Sequence, residues 1–301
     1  MYKNLNISSL GIVGQSEAIE LALTHRFKAM DLNLVEFADR VKLRGMPFAR
    51  RLIESSKIKL SAFALPFELK DDPDKFKEDL ARLAEWGSAA AEVGCVRCTM
   101  TIEPAGDRLP YHENFTFHSE RLAEICSVLL PNNIQLGVGF RAAADLRRNK
   151  AFQFIHDLEA LSMLVNMVNR PNAGILFNAW DLLASGGSLD TLRNIPVDKI
   201  VAVQLADAPE DVPLEELTET SRLLPAVDGR FDIPAVLTAL AEMGYEGPVS
   251  VTPHRSNFPS SRSDQMAQAI SESFNAVWKA ANLDPQGNLV EPAEPVESTE
   301  V

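Results

Sequence analysis

The stretch that decides the fold is AGILFNAWDLLASGGSLDTLRNIPVDKIVAVQLADAP, residues 173–209. It contains two short apolar runs, AGILFN from Ala173 and KIVAVQL from Lys199, separated by a segment in which Ser188 follows two glycines. Apolar runs of this length predict strands buried on both faces, and the serine predicts the N-cap of an intervening helix. Strand, helix and strand in this order form the unit from which a parallel sheet is built.

The same alternation runs along the whole chain. Amphipathic stretches such as DKFKEDLARLAEWGSAAAEVG from Asp74 separate eight predicted strands, and no GxGxxG turn follows the first of them. Gly11 and Gly14 instead predict a loop before a helix that Ser16 caps. Asp74, which follows Pro73, and Asp232, which precedes Ile233 and Pro234, are also predicted N-caps. Eight such units in an unbroken series favour one closed α/β barrel, a (β/α)8 TIM barrel, over an open sheet. The predicted strands are LNISS from Leu5, AMDLNL from Ala29, IKLSAFAL from Ile58, CVRCTMTI from Cys95, IQLGVGF from Ile134, AGILFN from Ala173, KIVAVQL from Lys199 and PVSVT from Pro248.

Composition and charge exclude several classes of function. The 301 residues are 46% hydrophobic and 24% charged, which is typical of a globular chain, and the net charge is -13. Such an acidic surface disfavours nucleic acid and anionic membranes as partners, and no apolar run approaches the roughly 18 residues of a membrane span. We therefore expect a cytoplasmic protein that acts on a small molecule, of unknown oligomeric state.

The cysteines and the C-terminal segment are predicted to lie outside the chemistry. Cys95 and Cys98 form a C-x-x-C pair, but no second pair completes a zinc site, and the β-branched residues around Cys98 favour a buried strand. The Pro- and Glu-rich segment DPQGNLVEPAEPVESTEV predicts a disordered tail over residues 284–301, which leaves residues 1–283 as the barrel.

A site in such a barrel lies at the carboxyl ends of the strands. A catalytic divalent metal there requires carboxylate oxygens and histidine nitrogens from several strands. The residues near predicted strand ends that carry such groups are Asp31, Glu103, Asp181, Asp207 and His254. Two of them have an alternative structural interpretation, since Asp207 is equally suited to capping the loop before Pro209, and Glu103 to lying solvated in a loop.

Three longer segments resemble the xylose isomerase-like TIM barrels, the sugar phosphate isomerase/epimerase group. They are NAGILFNAWDLLASGGSLDTLRNI, VAVQLADAP and SRLLPAVDGRFDIPAVLTALAEMGYEGPVSV, and with weaker segments the resemblance extends from about Leu5 to Asn282. It implies a divalent metal held by Glu, Asp, His and Glu on strands five to eight, with the two glutamates serving as acid and base. The corresponding residues here are Gly139, Asn178, Gln204 and Thr252. Asp181 stands at the position of the family histidine that usually contacts substrate.

These replacements change the expected function. Isomerisation beside a carbonyl needs a base and stabilisation of the enediolate, and neither glycine nor threonine supplies these at neutral pH. We therefore expect no bound metal, no cofactor and no family chemistry, but amides that still suit a sugar or polyol-like ligand or a partner. The predicted ligand-binding residues are Asn178, Asp181, Gln204, Asp207, His254 and Glu103.

Two other functions remain open at this level. One is an active isomerase or epimerase whose metal has moved to the carboxylates and histidine named above, and the other is a structural or partner-binding barrel. Arg141, which follows the fifth strand, is predicted to point among the helices. Arg222, in the loop after the seventh strand, is a candidate for contact with an anionic ligand group.

Overall fold

The computed structural model describes residues 1–69, 72–258, 260 and 262–290. Ten α-helices are present in these ranges: α1 Gln15–Thr24, α2 Leu34–Arg44, α3 Met46–Ser56, α4 Pro73–Glu92, α5 Tyr111–Leu129, α6 Leu158–Val168, α7 Ala179–Ala184, α8 Leu189–Arg193, α9 Ile233–Glu242 and α10 Ser263–Ala280. The strands in the same ranges are β1 Tyr2–Leu5, β2 Ala29–Met30, β3 Lys59–Leu60, β4 Phe63–Ala64, β5 Arg97–Thr101, β6 Ala105–Gly106, β7 Gln135–Gly139, β8 Phe152–Gln153, β9 Ala173–Asn178, β10 Ile200–Leu205 and β11 Pro248–Val251. None of the described helices is both long and apolar enough to cross a membrane.

Nine of the strands form one parallel sheet in the order β3-β2-β1-β11-β10-β9-β7-β5-β4. Its first and last members, β3 and β4, are separated by only Ser61 and Ala62. Ser61 N donates to Met30 O at 3.0 Å, and Ala62 O accepts from Leu32 N at 2.8 Å. The two ends of the sheet therefore meet in one stretch of chain, as expected for an α/β TIM-like barrel.

The core lies on both faces of this sheet. All six residues of β9 are buried, which explains why its sequence is continuously apolar rather than alternating. The three cysteines are buried and unpaired, and Cys98 is a buried residue within β5, as predicted.

Local signals set the helix boundaries. Ser188 caps α8 and Asp232 caps α9, as predicted, because each side chain accepts a hydrogen bond from a backbone N–H of the first turn. The predicted cap at Ser16 is wrong, since α1 already begins at Gln15, after Gly14. The predicted cap at Asp74 is also wrong, because Asp72 accepts the N–H groups of the first turn of α4.

The first strand lies earlier than predicted. It ends at Leu5, whereas the predicted run LNISS extends to Ser9. Asn6 Oδ1 accepts a hydrogen bond from Ser8 N at 3.1 Å, and this contact turns residues Ile7–Leu10 into a short 3-10 helix. The serines consequently lie at the carboxyl end of the sheet instead of within it.

The predicted tail is described up to residue 290, and this part is hydrogen bonded. Trp278 Nε1 donates to Asp284 O at 2.8 Å, Leu283 pairs with Leu289, and Val290 N donates to Asn282 O at 2.9 Å. The segment 284–290 therefore folds back on the end of α10. The rest of the predicted tail, 291–301, lies outside the described residues, and disorder there remains a prediction.

Candidate functional site

A polar cavity of about 370 Å³ lies at the carboxyl ends of the parallel strands. Its lining includes Thr101, Asn178, Gln204 and Thr252 from the strand ends, and two serines that follow β1. A second cavity of about 400 Å³, between α6 and α8 on the outside, is lined mostly by apolar atoms. The candidate site is the first cavity, here called the mouth, because polar side chains from many strands converge there.

Two amides occupy the centre of the mouth. Asn178 ends β9, and its Oδ1 accepts hydrogen bonds from Trp180 N at 3.0 Å and Asp181 N at 3.3 Å, which caps α7. Its Nδ2 donates to Gln204 Oε1 at 3.1 Å. The Gln204 amide nitrogen, by contrast, has no partner among the described residues. The pair thus orients two amides whose remaining groups can donate to and accept from a hydroxyl-bearing ligand.

A buried ion pair lies beside these amides. Arg222 Nη2 donates to Asp181 Oδ1 at 2.8 Å and to Glu219 Oε1 at 2.9 Å. The side chains of Arg222 and Asp181 are 9% and 2% exposed, so the pair is shielded from water. The guanidinium also lies 4.1 Å from the centre of the Trp180 ring, a favourable cation–π arrangement.

Burial and neighbouring charges oppose each other in this cluster. Burial raises the pKa of Asp181, although Arg222 and the 2.8 Å hydrogen bond from Ala142 N both act to lower it. Burial also disfavours the charge on Glu219, but Arg222 and Arg141 outweigh it and hold the pKa of that carboxyl below its usual value. The charge of Arg222 is therefore already neutralised by Asp181 and Glu219. An anionic ligand group that contacts Arg222, as predicted, would have to compete with both carboxylates.

Arg141 lines the mouth, so the prediction that it points among the helices is wrong. Its guanidinium bridges Glu219 at 3.0 Å and Glu103 at 2.9 Å. Arg141 follows Gly139, the last residue of β7, by two positions, and side chains two residues apart on an extended chain point to the same side, so alternation itself favours the mouth. Glu103 is 63% exposed on this bridge and does not line the cavity, which agrees with its interpretation as a solvated loop acid.

Asp207 holds a loop together instead of lining the mouth. Its Oδ1 accepts hydrogen bonds from Ala208 N at 2.8 Å and Phe231 N at 3.0 Å. Its backbone pairs with Leu223, and its carboxylate lies so close to Gly229 that a Cβ there would clash with it. Of the six predicted site residues, the structure brings Asn178, Asp181, Gln204 and His254 together at the mouth and leaves Asp207 and Glu103 out.

The rim beside β11 completes the mouth. His254 Nδ1 accepts from Ser256 N at 3.2 Å, which leaves the proton of the neutral ring on Nε2. Thr252 Oγ1 is buried without a hydrogen-bond partner among the described residues. Arg255 lies over Gly11 and forms no ion pair within the described ranges. These groups leave donors and acceptors for a ligand.

The residues at the mouth do not fit the divalent metal that the family resemblance implies. Gly139 offers no side chain, and Asn178, Gln204 and Thr252 are neutral. Among the described residues, no three His, Cys, Asp or Glu side chains converge as a metal site would require. In addition, Asn178 Oδ1 accepts a hydrogen bond from Arg222 Nη1 at 3.5 Å, so a guanidinium N–H already contacts that oxygen.

A relocated metal site finds no support either. The five residues considered for it have separate partners: Asp31 binds Asn4 and Ser61, Glu103 binds Arg141, Asp181 binds Arg222, Asp207 binds backbone N–H groups, and His254 binds Ser256. They lie in distinct surroundings and do not converge on a common point in the described part of the chain.

The family model for xylose isomerase-like TIM barrels matches residues 17–276. The chain belongs to the xylose isomerase-like TIM barrel family. It is 27% identical over 159 residues to the inosose isomerase of Bacillus velezensis, covering 53% of this chain and 54% of that protein. It is 30% identical over 117 residues to the 3-dehydroshikimate dehydratase of Pseudomonas putida, covering 38% and 17%. The chain thus aligns with about half the length, or less, of these curated relatives.

Solved structures show the same fold. A xylose isomerase domain protein from Alicyclobacillus acidocaldarius superposes with a TM-score of 0.84 at 22% identity, covering 94% of this chain and 99% of that chain. The IOLI protein, solved with a zinc atom, superposes with a TM-score of 0.76 at 19% identity, covering 94% and 98%. At these identities the likeness concerns the fold alone.

Sequence reasoning missed two residues of the mouth, Glu219 and Arg141, and undervalued a third, Arg222. The capping pattern of Thr218 and Ser221, which holds the turn bearing Glu219, was a readable signal. The Arg222–Asp181 pair joins residues 41 positions apart in the chain, and no local pattern predicts such a contact.

Proposed function

We propose that this chain is a metal-independent member of its family that binds a sugar or polyol-like ligand at the mouth and does not carry out the metal-dependent isomerase chemistry. We further propose that the mouth belongs to a closed barrel of eight β/α units, with β3 and β4 as two parts of one strand. One observation carries the proposal. The amides of Asn178 and Gln204 are paired at 3.1 Å at two of the positions where the family holds its metal, and the charge beside them is a neutralised guanidinium.

The chemistry of the lining favours hydroxyl groups as ligand features. A polyhydroxy compound needs donors and acceptors in roughly equal numbers, and amides and hydroxyls supply both. Thr252 Oγ1 has no partner among the described residues, the Gln204 side chain is bonded there through its oxygen, and serines follow β1 at the same cavity. A cavity of about 370 Å³ is within the range of small-molecule sites. The names of the relatives, inosose isomerase and 3-dehydroshikimate dehydratase, point to cyclic polyhydroxy ketones as the first compounds to test.

Metal content tests the first half of the proposal. Protein purified without chelator, and again after incubation with Mn, Mg, Co or Zn and desalting, should contain no stoichiometric metal by elemental analysis. One retained ion per chain would contradict the proposal and direct attention back to the carboxylates of the mouth.

Ligand-induced stabilisation tests the second half. A ligand at 100 times its dissociation constant adds about 2.7 kcal/mol, which is about 5 °C in Tm for a chain of this size. We expect inosose or a related neutral polyol to raise Tm in wild type, and Gln204→Leu to abolish the rise; 3-dehydroshikimate, which carries a carboxylate, is tested beside them. Gln153→Leu, which alters an exposed glutamine on β8, serves as the matched control. If none of a broad panel of sugars, polyols and sugar phosphates raises Tm, the mouth does not bind such ligands, and a protein partner becomes the better hypothesis.

A further inference from the structure

A small polar cluster lies among the strands below the mouth. It consists of Asp31 after β2, Asn4 on β1, Ser61 after β3 and Ser250 on β11. Asn4 Nδ2 lies 2.7 Å from Asp31 Oδ1 and 2.8 Å from Ser250 Oγ. Ser61 Oγ lies 2.6 Å from Asn4 Oδ1 and 2.8 Å from Asp31 Oδ1. Asn4, Ser61 and Asp31 therefore form a closed triangle of short contacts, and each contact requires a hydrogen atom between its two heavy atoms.

An ionised Asp31 leaves this triangle one proton short. The two hydrogens of the Asn4 amide serve Asp31 and Ser250. Both remaining contacts involve Ser61 Oγ, which has one hydrogen but faces two side-chain acceptors, the Asn4 carbonyl and the Asp31 carboxylate, as well as Met30 O at the longer distance of 3.3 Å. A proton on Asp31 Oδ1 completes the triangle, because Asp31 then donates to Ser61 and Ser61 donates to Asn4.

The count does not depend on how the Asn4 amide is turned. In the flipped orientation its nitrogen donates to Ser61, and Ser61 donates to Asp31. The Asn4 oxygen then faces Asp31 Oδ1 at 2.7 Å, two acceptors again without a hydrogen between them. Either orientation is satisfied only when Asp31 carries the missing proton.

Asp31 is also connected to the mouth. It lines a small internal cavity of about 10 Å³ together with Thr99 and Gln204, which is close to the space that one water molecule needs. Gln204 lines the mouth as well, so its side chain separates the two spaces. Asp31 retains some accessible surface in spite of its depth, and the second carboxylate oxygen, Oδ2, has no partner among the described residues.

The surroundings of Asp31 disfavour its charge. Burial raises the pKa of Asp31 to about 6, although hydrogen bonds from Asn4 and Ser61 act in the opposite direction. The titratable groups that its charge affects are Tyr2 on β1 and the Cys95 thiol before β5, whose pKa values burial chiefly raises. The cations on this side of the sheet are Arg97 and Lys59. Arg97 acts on Tyr2 and Cys95, and Lys59 Nζ lies 4.0 Å from the centre of the Tyr2 ring.

We propose that Asp31 is a proton-holding carboxylic acid at the floor of the mouth, and that it exchanges its proton with water in the small cavity beside Gln204. In each exchange the proton leaves Asp31 Oδ1 for a water oxygen, the carboxyl group becomes a carboxylate, and a proton from water restores it. A barrel without a metal would thereby retain one titrating acid below its ligand site. The inference goes beyond the proposed function and does not need any ligand to be bound.

Carboxyl NMR tests the proposal directly. In protein labelled with 13C at the aspartate carboxyl groups, the Asp31 resonance should titrate with a midpoint near pH 6. This is about two units above an ordinary aspartate, or about a hundredfold tighter proton binding. Asp31→Asn identifies the resonance by its loss, and the amide can donate to Ser61 as the neutral acid does. Ser61→Ala identifies it by a shift if the first variant does not fold.

The connection to the mouth has its own measurement. Gln204→Leu replaces the polar wall of the small cavity by an apolar one, so the Asp31 midpoint should rise above its wild-type value. Gln153→Leu, the exposed control on β8, should leave it unchanged. An Asp31 midpoint below about pH 4 would overturn the proton count, and a midpoint that Gln204→Leu does not move would overturn the exchange path. Neither result depends on whether inosose or another polyol binds.

Discussion

Replacing Arg222 by methionine should destabilise the fold strongly, because it leaves the Asp181 carboxylate buried without its cation. Asp181 is 2% exposed and would retain only the hydrogen bond from Ala142 N. Removing one partner of a buried pair costs about 3–5 kcal/mol. The expected loss in the free energy of unfolding for Arg222→Met lies in that range, and Glu219, at 20% exposure, adds little because water reaches it.

Urea denaturation followed by tryptophan fluorescence measures this loss, since Trp180 lies directly under the guanidinium. Arg255→Met is the matched control, because Arg255 lines the same mouth but has no ion pair in the described ranges and lies at the surface. It should change stability by less than about 0.5 kcal/mol. The double variant Arg222→Met, Asp181→Leu should regain most of the loss, because no buried charge remains.

The stability loss of Arg222→Met should depend on pH, and the pKa of Asp181 sets the direction of that dependence. Burial raises the pKa of Asp181, and loss of Arg222 removes the main influence that lowers it, so the pKa rises further in the variant. A carboxyl group with a raised pKa in the folded state contributes stability at low pH and loses it as the pH rises. The deficit of Arg222→Met against wild type should therefore grow from acid to neutral pH. A deficit no larger than that of Arg255→Met, or one that is independent of pH, would refute the buried-charge argument.

Two other substitutions and one labelling experiment have outcomes that the structure predicts. Asp207→Ala removes the acceptor of the buried Ala208 and Phe231 N–H groups and should cost about 2–4 kcal/mol in urea denaturation, without altering ligand-induced shifts in Tm. Gly229→Ala should cost about 1–3 kcal/mol by the same measurement, because its Cβ would overlap the Asp207 carboxylate. The cysteines should react with a thiol reagent only after unfolding, since all three are buried and burial raises the pKa of Cys126 to about 12; rapid labelling of the native protein would contradict this.

The order of strands and helices was readable from the sequence because it depends on local patterns. Runs such as AGILFN are too short for helices and too apolar for exposed strands, and Ser188 and Asp232 cap helices through contacts within three residues. The error at the first strand has the same local character. The side chain of Asn6 competes with strand pairing by accepting from the backbone two residues on, and an apolar pattern does not register such a contact.

The site was readable only in part. Asn178 and Gln204 could be placed because strand ends in a parallel barrel meet at one edge, and a position on a strand fixes the direction of its side chain. Arg222 and Glu219 lie on loops, where no period constrains direction, and their positions follow from one another's charges. The likeness to metal-binding relatives identified positions 139, 178, 204 and 252. It did not indicate which side chains occupy that part of the barrel when the metal-binding residues are replaced.

The charged residues of the mouth pair with one another, and their effect depends on which residues stand at positions 178 and 181. A divalent cation next to Asn178 would lie close to the Arg222 guanidinium in a shielded space and would compete with it for the Asp181 and Glu219 carboxylates. The Asp181 carboxylate instead neutralises Arg222. Because Asn178 is neutral, this pair has no second negative charge that a metal would be needed to balance. Restoring an aspartate at position 178 alone would therefore give Arg222 a third carboxylate, not create a metal site. The identity of residues 178 and 181 and the presence of Arg222 must be considered together, and together they favour a ligand recognised by hydrogen bonds.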